Sequence, residues 1–494
     1  MKKKESSVDR RKFISTSVTA LAGVTILPSH VIAGLGHTPP SDKLNIAGIG
    51  VGGRGFGNLK ELQSENIVAL CDVDWNYSKR VFNHFPKAEK FRDWRKMYDE
   101  IGKSIDAVMI STPDHTHAGP AAHAITLNKH VYLQKPLTHT VYESRLLSRL
   151  AQKYKVATSM GNQGSSLDDT SNVIEWLHNG EIGEVKKVDA FTDRPIWPQG
   201  LNTPEKGMWV PDYLDWDLFI GPAKMRPYHN LYTPWNWRGW WDFGTGALGD
   251  MACHVLHPVF MGLQLGHAEK VQGSSTLLLD DCAPSAQIIK LTFPERKKPK
   301  GMKIGLPSLE VTWYDGGLQP LKPEGWPEGK SMNVRGGGVI FHGEKDTLVC
   351  GSQGREPWLM SGRKPNAPKF RRRIEVSHEM DWVRACKEAP GVRTPTLSDF
   401  SEAGPFNEMV VMGVLAVRLQ SLNKELMWDG ENMQFTNIGE NETIKSLVKD
   451  GFEIHDGHPT FKKEWTGPIS ARQFTKELIQ HTYRDGWTLP DMPQ

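Results

Sequence analysis

The chain has 494 residues, too many for a single hydrophobic core, so two domains are the default expectation. It is 38% apolar and 24% charged, with no low-complexity tract and no repeat of solenoid or propeller period, which excludes disordered, fibrous and repeat architectures. The formal charge of +3 is concentrated in the first 33 residues, where Lys2, Lys3, Lys4, Arg10, Arg11 and Lys12 against Glu5 and Asp9 give +4; the body is left at −1, which argues against a nucleic-acid surface.

Residues 1–33 read as a twin-arginine signal peptide. Arg10-Arg11 precede a mild apolar run over 13–27, and Val31-Ile32-Ala33 offers a small-residue cleavage site. The alternative is a disordered or membrane-tethering N-terminus, although the run is short for a span of about 20 apolar residues. No Cys follows it, so a lipid anchor is not expected. The expectation is export of a folded protein to the periplasm, with the twin-arginine machinery as a partner. Cys71, Cys253, Cys282, Cys350 and Cys386 lack metal-type spacing, and their odd number leaves at least one unpaired thiol, so no disulfide framework is expected.

From 42 to 165, short β-rich runs (44–49, 67–71, 107–111, 130–134 and 156–160) alternate with segments of helical period such as 142–154. This pattern predicts an α/β Rossmann domain, a doubly wound parallel sheet. From 166 to 437 the texture changes. A strand at 185–192 leads into an aromatic, Pro-rich stretch to 243; further strands are expected at 271–279, 287–293, 309–314 and 338–342, helices at 379–387 and 398–422, and a strand at 425–429. Gly- and Pro-rich loops separate these runs, which predicts an α+β domain with a large, open, mainly antiparallel sheet. Residues 438–494 are expected to be a C-terminal extension packing on the body.

The first strand runs into Gly50-Val51-Gly52-Gly53-Arg54-Gly55, and Phe56 begins a helical pattern. A G-x-G-x-x-G between a first strand and a first helix suits a dinucleotide pyrophosphate: one glycine turns, one admits the phosphate, one lets helix and strand approach. Asp72 falls at the end of the second strand, where a carboxylate accepts ribose hydroxyls and repels a 2′-phosphate. That favours NAD, while Arg54 and Arg80 keep NADP as the alternative. Thr112-Pro113-Asp114-His115-Thr116-His117 and Gln134-Lys135-Pro136 follow two further strands, at the sheet edge where such folds bind ligands. A lysine there can exchange a proton with a substrate hydroxyl, though a surface lysine is the commoner fate. Of the three histidines at 115, 117 and 123, only His117 is placed near the cofactor.

These motifs, with Gly244 to Gly249 followed by Asp250-x-x-x-His254, resemble the glucose-fructose oxidoreductase / inositol dehydrogenase / rhizopine catabolism (Gfo/Idh/MocA) family over roughly residues 43–262. The resemblance implies an NAD(P)-dependent oxidoreductase acting on the CH–OH group of a sugar, sugar derivative or glycoside. It implies Lys135 and His254 as the acid/base pair and Asp250 as the residue orienting substrate or histidine. Asp250 and His254, at i and i+4, share one helix face. Trp237 and Arg238 stand where the family carries an Arg near the cofactor, and Asn162 and Gln163 are placed at the nicotinamide or substrate. The usual Glu-Lys-Pro is here Gln134-Lys135-Pro136, which removes a carboxylate beside the lysine.

His257 adds a third polar residue to the Asp250–His254 face, but no further ligand is evident and no metal is expected. The aromatic cluster of Trp197, Trp209, Trp216, Trp235, Trp237, Trp240 and Trp241, with Tyr213, Tyr228 and Tyr232, is expected to build a satellite core for the most part, with one or two rings free to line a sugar site. Because free NAD is scarce outside the cytoplasm, a tightly held cofactor recycled by a second substrate is expected. The alternative is an NAD-dependent glycoside hydrolase that oxidises, eliminates, hydrates and re-reduces, with no net redox. A carbohydrate-binding protein without activity ranks last, since lysine and histidine are both present. A homo-oligomer, dimer or tetramer, formed through the second-domain sheet is implied by the resemblance.

Overall fold

The computed structural model describes residues 42–493. The leader, and with it the export reading, lies outside the described residues. In the first half, β1 (Asn45–Ile49), α1 (Arg54–Glu61), β2 (Asn66–Cys71), α2 (Lys79–His84), β3 (Glu89–Phe91), α3 (Trp94–Ile101), β4 (Ala107–Ile110), α4 (Ala118–Thr126), β5 (His130–Leu133), α5 (Val141–Tyr154) and β6 (Thr158–Met160) alternate. Their strands form a six-stranded parallel sheet in the order β3-β2-β1-β4-β5-β6. β1, β4 and β5 bury nearly every residue, as strands covered by helices on both faces must. The expected strands are present. The short β3, with two of its three residues exposed, carries no apolar signal and was missed.

The chain then continues through α6 (Asp168–Asn179), β7 (Val185–Thr192), α7 (Trp216–Ile220), α8 (Gly246–Val255) and α9 (His257–Gly262). Six strands follow: β8 (Lys270–Ser275), β9 (Gln287–Phe293), β10 (Leu309–Tyr314), β11 (Gly337–Gly343), β12 (Thr347–Gly351) and β13 (Trp358–Leu359). After α10 (His378–Lys387) and α11 (Phe400–Arg418) come β14 (Leu426–Asp429) and β15 (Gln434–Phe435). These strands make a nine-stranded sheet, β13-β12-β11-β7-β10-β9-β8-β14-β15, antiparallel except where β7 runs parallel to β10. The tail adds two small strands, β16 (Thr443–Ile444) and β19 (Ile469–Ser470), around the hairpin of β17 (Leu447–His455) and β18 (His458–Trp465), then α12 (Ala471–Ile479).

Helix α11 joins the two sheets. Nearly all of it is buried, between α5 of the first half and β8 and β9 of the second. Its partner α5 starts with a reciprocal cap: the Glu143 amide donates to Thr140 Oγ1 (3.2 Å), and the Thr140 amide donates to Glu143 Oε2 (3.0 Å). Within α11, buried Asn407 accepts the Leu137 amide (3.0 Å) and donates to the Thr138 carbonyl (3.1 Å) and Ser144 Oγ (2.8 Å). The loop that follows Lys135 is therefore held by a helix from the far end of the sequence.

The five cysteines are buried and free. Among the described residues no helix is long and apolar enough to cross a membrane.

Candidate active site

At the carboxyl edge of the parallel sheet, Gly50 to Gly55 wrap the start of α1. Gly50 has φ +69°, and a Cβ there would lie 2.6 Å from the Thr112 amide nitrogen. A Cβ on Gly55 would lie 2.2 Å from the Gly50 carbonyl oxygen, so the third glycine is fixed by helix–strand approach. Gly52 differs: the side its missing Cβ leaves open is covered by Tyr77, whose Cδ1 would lie 2.3 Å from it. At the next position, Gly53, no side chain caps α1, so its first amides keep their donors for an anion.

Asp72 Oδ2 accepts the amides of Val51 (2.9 Å) and Gly52 (3.1 Å), and Oδ1 accepts that of Asp74 (2.9 Å). Burial raises its carboxyl above the ordinary value against the pull of these bonds. A carboxylate has about four acceptor positions, so one remains for a ribose hydroxyl. The residue expected to hold the ribose thus also holds the glycine loop in shape.

A cavity of about 160 Å³ opens over this loop. Gly50, Gly52, Gly53, Arg54 and Asp72 line it, with Thr112, Pro113, Gln134 and Lys135 from the β4 and β5 ends. Trp235, Trp237 and Arg238 close it from the second half of the chain. Its fit to a dinucleotide rests on the glycine face beneath the half-exposed Tyr77 ring, the uncapped helix start, and an acceptor at the end of β2. Asn162 and Gln163 do not line the cavity. Asn162 is fully buried with both side-chain polar atoms unpartnered, and Gln163 Nε2 donates to Tyr132 Oη (2.8 Å) and Glu379 Oε1 (3.1 Å). His117 is also absent from the wall. It ties the two catalytic-edge loops together, Nδ1 at 2.8 Å from the Pro136 carbonyl and Nε2 at 2.9 Å from that of Thr112. Burial pushes it down to about 4, so the neutral ring donates to one of the two.

At the inner end, Lys135 Nζ donates to the Asp250 carbonyl (2.8 Å) and to Asp250 Oδ1 (3.0 Å). Arg238 Nε donates to the same Oδ1 (3.0 Å), and its guanidinium lies 3.8 Å from the Trp235 ring centroid and 4.3 Å from that of Trp237. Burial opposes ionisation of Asp250, but the Lys135 and Arg238 charges outweigh it and hold the carboxyl well below the usual carboxylate range. Asp250 therefore serves two cations rather than the imidazole four residues on. His254 Nδ1 is buried without a partner, and burial, reinforced by the Lys135 charge, pushes the ring down to about 3. The ring is therefore neutral at pH 7, and neither it nor Asp250 lines the cavity, which Lys135 and Arg238 do. His257 packs its ring against Phe406 (5.5 Å), and among the described residues no group of three or more His, Cys, Asp or Glu is disposed to hold a metal ion.

Sequence reasoning missed four positioning residues. Asp114 accepts the Thr245 amide (3.1 Å) and hydroxyl (2.7 Å) at the start of α8, which carries Asp250 and His254. Asn58 accepts from Gln134 Nε2 (2.9 Å) and donates to Glu379 Oε1 (2.6 Å). That oxygen of Glu379 also accepts from Tyr132 Oη (3.1 Å), and Arg54 Nη2 lies 3.8 Å from it. The fourth, Asn407, was described with α11. Only Asp114 carried a signal, its place in the Thr112-Pro113 motif. Half of the aromatic cluster is a satellite core: Trp216, Tyr228, Tyr232, Trp237 and Trp240 pack together with Phe219 and Phe243. Trp209 stands 97% exposed.

Comparison with known proteins accords with this geometry. Residues 43–162 match a family model described as an oxidoreductase family, NAD-binding Rossmann fold, and residues 174–274 match that family's C-terminal alpha/beta domain. Both models are those of the Gfo/Idh/MocA oxidoreductase family. The six-stranded sheet is of the NAD-binding Rossmann type that the first of them describes. A glycosyl hydrolase family 109 protein from Shewanella pealeana is 26% identical over 227 residues, 41% of this chain and 50% of that protein. An uncharacterized oxidoreductase from Synechocystis is 25% identical over 229 residues, 44% of this chain and 52% of that protein. The chain spans about half the length of these curated relatives. Among solved structures, the WlbA dehydrogenase from Chromobacterium violaceum, solved with NADH and UDP-GlcNAcA, superposes with a TM-score of 0.51 at 16% identity, covering 78% of this chain and 96% of that one. An NAD-binding protein from Listeria innocua gives 0.51 at 14% identity, covering 78% and 97%. These likenesses establish the shared Gfo/Idh/MocA fold.

Proposed function

We propose that the chain is an exported, NAD-dependent oxidoreductase that moves a hydride between the cofactor and a hydroxyl-bearing carbon of a sugar, sugar derivative or glycoside. The observation that carries this reading is Lys135 Nζ, held by Asp250 at the inner end of the cavity that the glycine loop floors. The nicotinamide ring, when bound, supplies the hydride acceptor or donor. Gly52, Gly53 and the first amides of α1 receive the pyrophosphate, and Asp72 receives the ribose and disfavours a 2′-phosphate.

Lys135 spends two of its donors on Asp250, which leaves one for a substrate oxygen. An alcohol that loses a hydride must also lose its hydroxyl proton. Neutral His254 is the group to take it, and the protonated imidazole returns it in the reverse direction, while Lys135, already a cation beside Asp250, donates a hydrogen bond to the reacting oxygen. Ionised Asp250 balances one of its two cationic neighbours, so Lys135 and Arg238 together leave a net positive field that favours an alkoxide at the reacting oxygen. We place Trp235 and Trp237 beside the ligand.

A second reading, net glycoside hydrolysis by transient oxidation, is favoured by the likeness to the Shewanella glycosyl hydrolase family 109 protein. It uses the same residues and needs no external oxidant, which suits a periplasmic protein with tightly retained NAD. The separating experiment incubates the purified protein with a panel of free sugars and glycosides, with and without added NAD, and weighs the products. An intact substrate two hydrogens lighter supports net oxidation, whereas an aglycone released with an unoxidised sugar supports hydrolysis. Absence of both, in a protein that binds NAD, overturns the carbohydrate reading.

A further inference from the structure

In the parallel sheet β2 and β3 lie on the side of β1 away from β4, β5 and β6, and a doubly wound dinucleotide fold lays the adenosine half of its ligand over that side. Past Asp72 the cavity wall includes Val73, Arg92 and Trp94, which follow β2 and β3, Thr116, which follows β4, and Trp487 from the far end of the chain. Trp487 belongs to neither matched domain.

Its placement is heavily determined. The Arg95 guanidinium lies 4.2 Å from the Trp487 ring centroid, is itself paired to Asp93 (2.8 Å), and donates to the Gly486 carbonyl (3.3 Å). Upstream, Tyr483 Oη donates to Glu143 Oε1 (2.6 Å) at the cap of α5. Arg484 Nη1 donates to Asp217 Oδ1 (2.6 Å) on α7, and the Arg484 amide donates to the Pro222 carbonyl (2.9 Å). The Trp487 amide then donates to the Arg484 carbonyl (3.1 Å). Segment 483–487 is thus a strap pinned to both halves of the molecule, with an indole at the cavity.

We propose that this strap is part of the cofactor site: Trp487, whose ring meets that of Trp94 at 57° with centroids 6.4 Å apart, offers one aromatic face to the adenine ring and slows release of the bound dinucleotide. The proposal rests on the dinucleotide reading of the glycine loop. Aromatic rings take purines because every base presents a π-face, and the loss of one stacking partner weakens binding about tenfold. A carrier of this kind also suits a protein that works where free cofactor is scarce.

The test uses the full chain and two variants, Trp487→Leu, which keeps apolar bulk, and Trp487→Phe, which keeps a flat ring. Calorimetry and stopped-flow measure affinity and release of NAD and of ADP-ribose, which shares the adenosine half. The expected result is binding about tenfold weaker, with faster release, for both ligands in Trp487→Leu, and wild-type behaviour within about threefold in Trp487→Phe. Two variants that both bind as wild type does, or that both weaken equally, overturn the proposal while leaving the dinucleotide reading intact. A wild-type protein that binds neither ligand overturns that reading as well.

Discussion

Gln134, where the family usually has glutamate, is explained by a carboxylate supplied from elsewhere. Its Nε2 donates to Asn58 Oδ1 at 2.9 Å, because Asn58 has already turned its own amide toward Glu379 Oε1 at 2.6 Å. Substituting Gln134→Glu keeps the shape but sets a carboxylate oxygen against a carbonyl oxygen in a site only 6% exposed. One buried hydrogen bond is lost and a second anion enters the neighbourhood of Glu379, which together cost about 3 kcal/mol. Urea denaturation of wild type, Gln134→Glu, Glu379→Gln and the double variant measures this cycle. The double variant, returned to a single buried carboxylate, should recover at least about 1 kcal/mol relative to additivity. The penalty should also shrink at pH 5 relative to pH 8: burial raises the new carboxyl's pKa in the folded state, so its stabilising, protonated form is lost as pH rises. A Gln134→Glu protein as stable as wild type at pH 8, or a strictly additive cycle, would refute the reasoning.

Three further outcomes are expected. Lys135→Met should lower turnover by about 10²–10⁴-fold while leaving NAD affinity nearly unchanged, as steady-state kinetics beside calorimetry will show; equal losses in both would remove Lys135 from stabilising the reacting oxygen. Tyr77→Ala should speed NAD association, because the ring lies on the Gly52 face that a pyrophosphate must approach; an unchanged rate constant would mean the ring never stands in the way. Burial pushes Asp114 up to about 7 from 3.8, so its contribution to stability is fully present below about pH 4 and is lost as pH rises through about 7. Asp114→Asn should therefore flatten part of the melting-temperature decline over that window, by up to roughly 4 kcal/mol at about 1.4 kcal/mol per unit, and an unaltered pH profile would count against it.

Local periodicity made much of this protein legible from its residues. The runs at 44–49, 67–71, 107–111 and 130–134 are continuous apolar stretches because strands buried on both faces need them, and the glycine loop announces itself because its backbone tolerates no Cβ at Gly50 or Gly55. Strands 185 to 192 and 309 to 314 were equally readable, but their parallel pairing was not, since which strands meet depends on crossovers that periodicity does not encode. Side-chain commitments were the least legible. The i, i+4 spacing of Asp250 and His254 suggested a pair, yet a carboxylate goes to the strongest donors within reach, and only the fold brings Lys135 and Arg238 there. Glu379 beneath the cofactor loop, Asn407 behind Lys135 and Trp487 at the cavity wall belong to the same class. Each is separated from its partner by hundreds of residues, so chain order determined the strands and the loop, while tertiary packing alone decided which charges and rings surround the reacting groups.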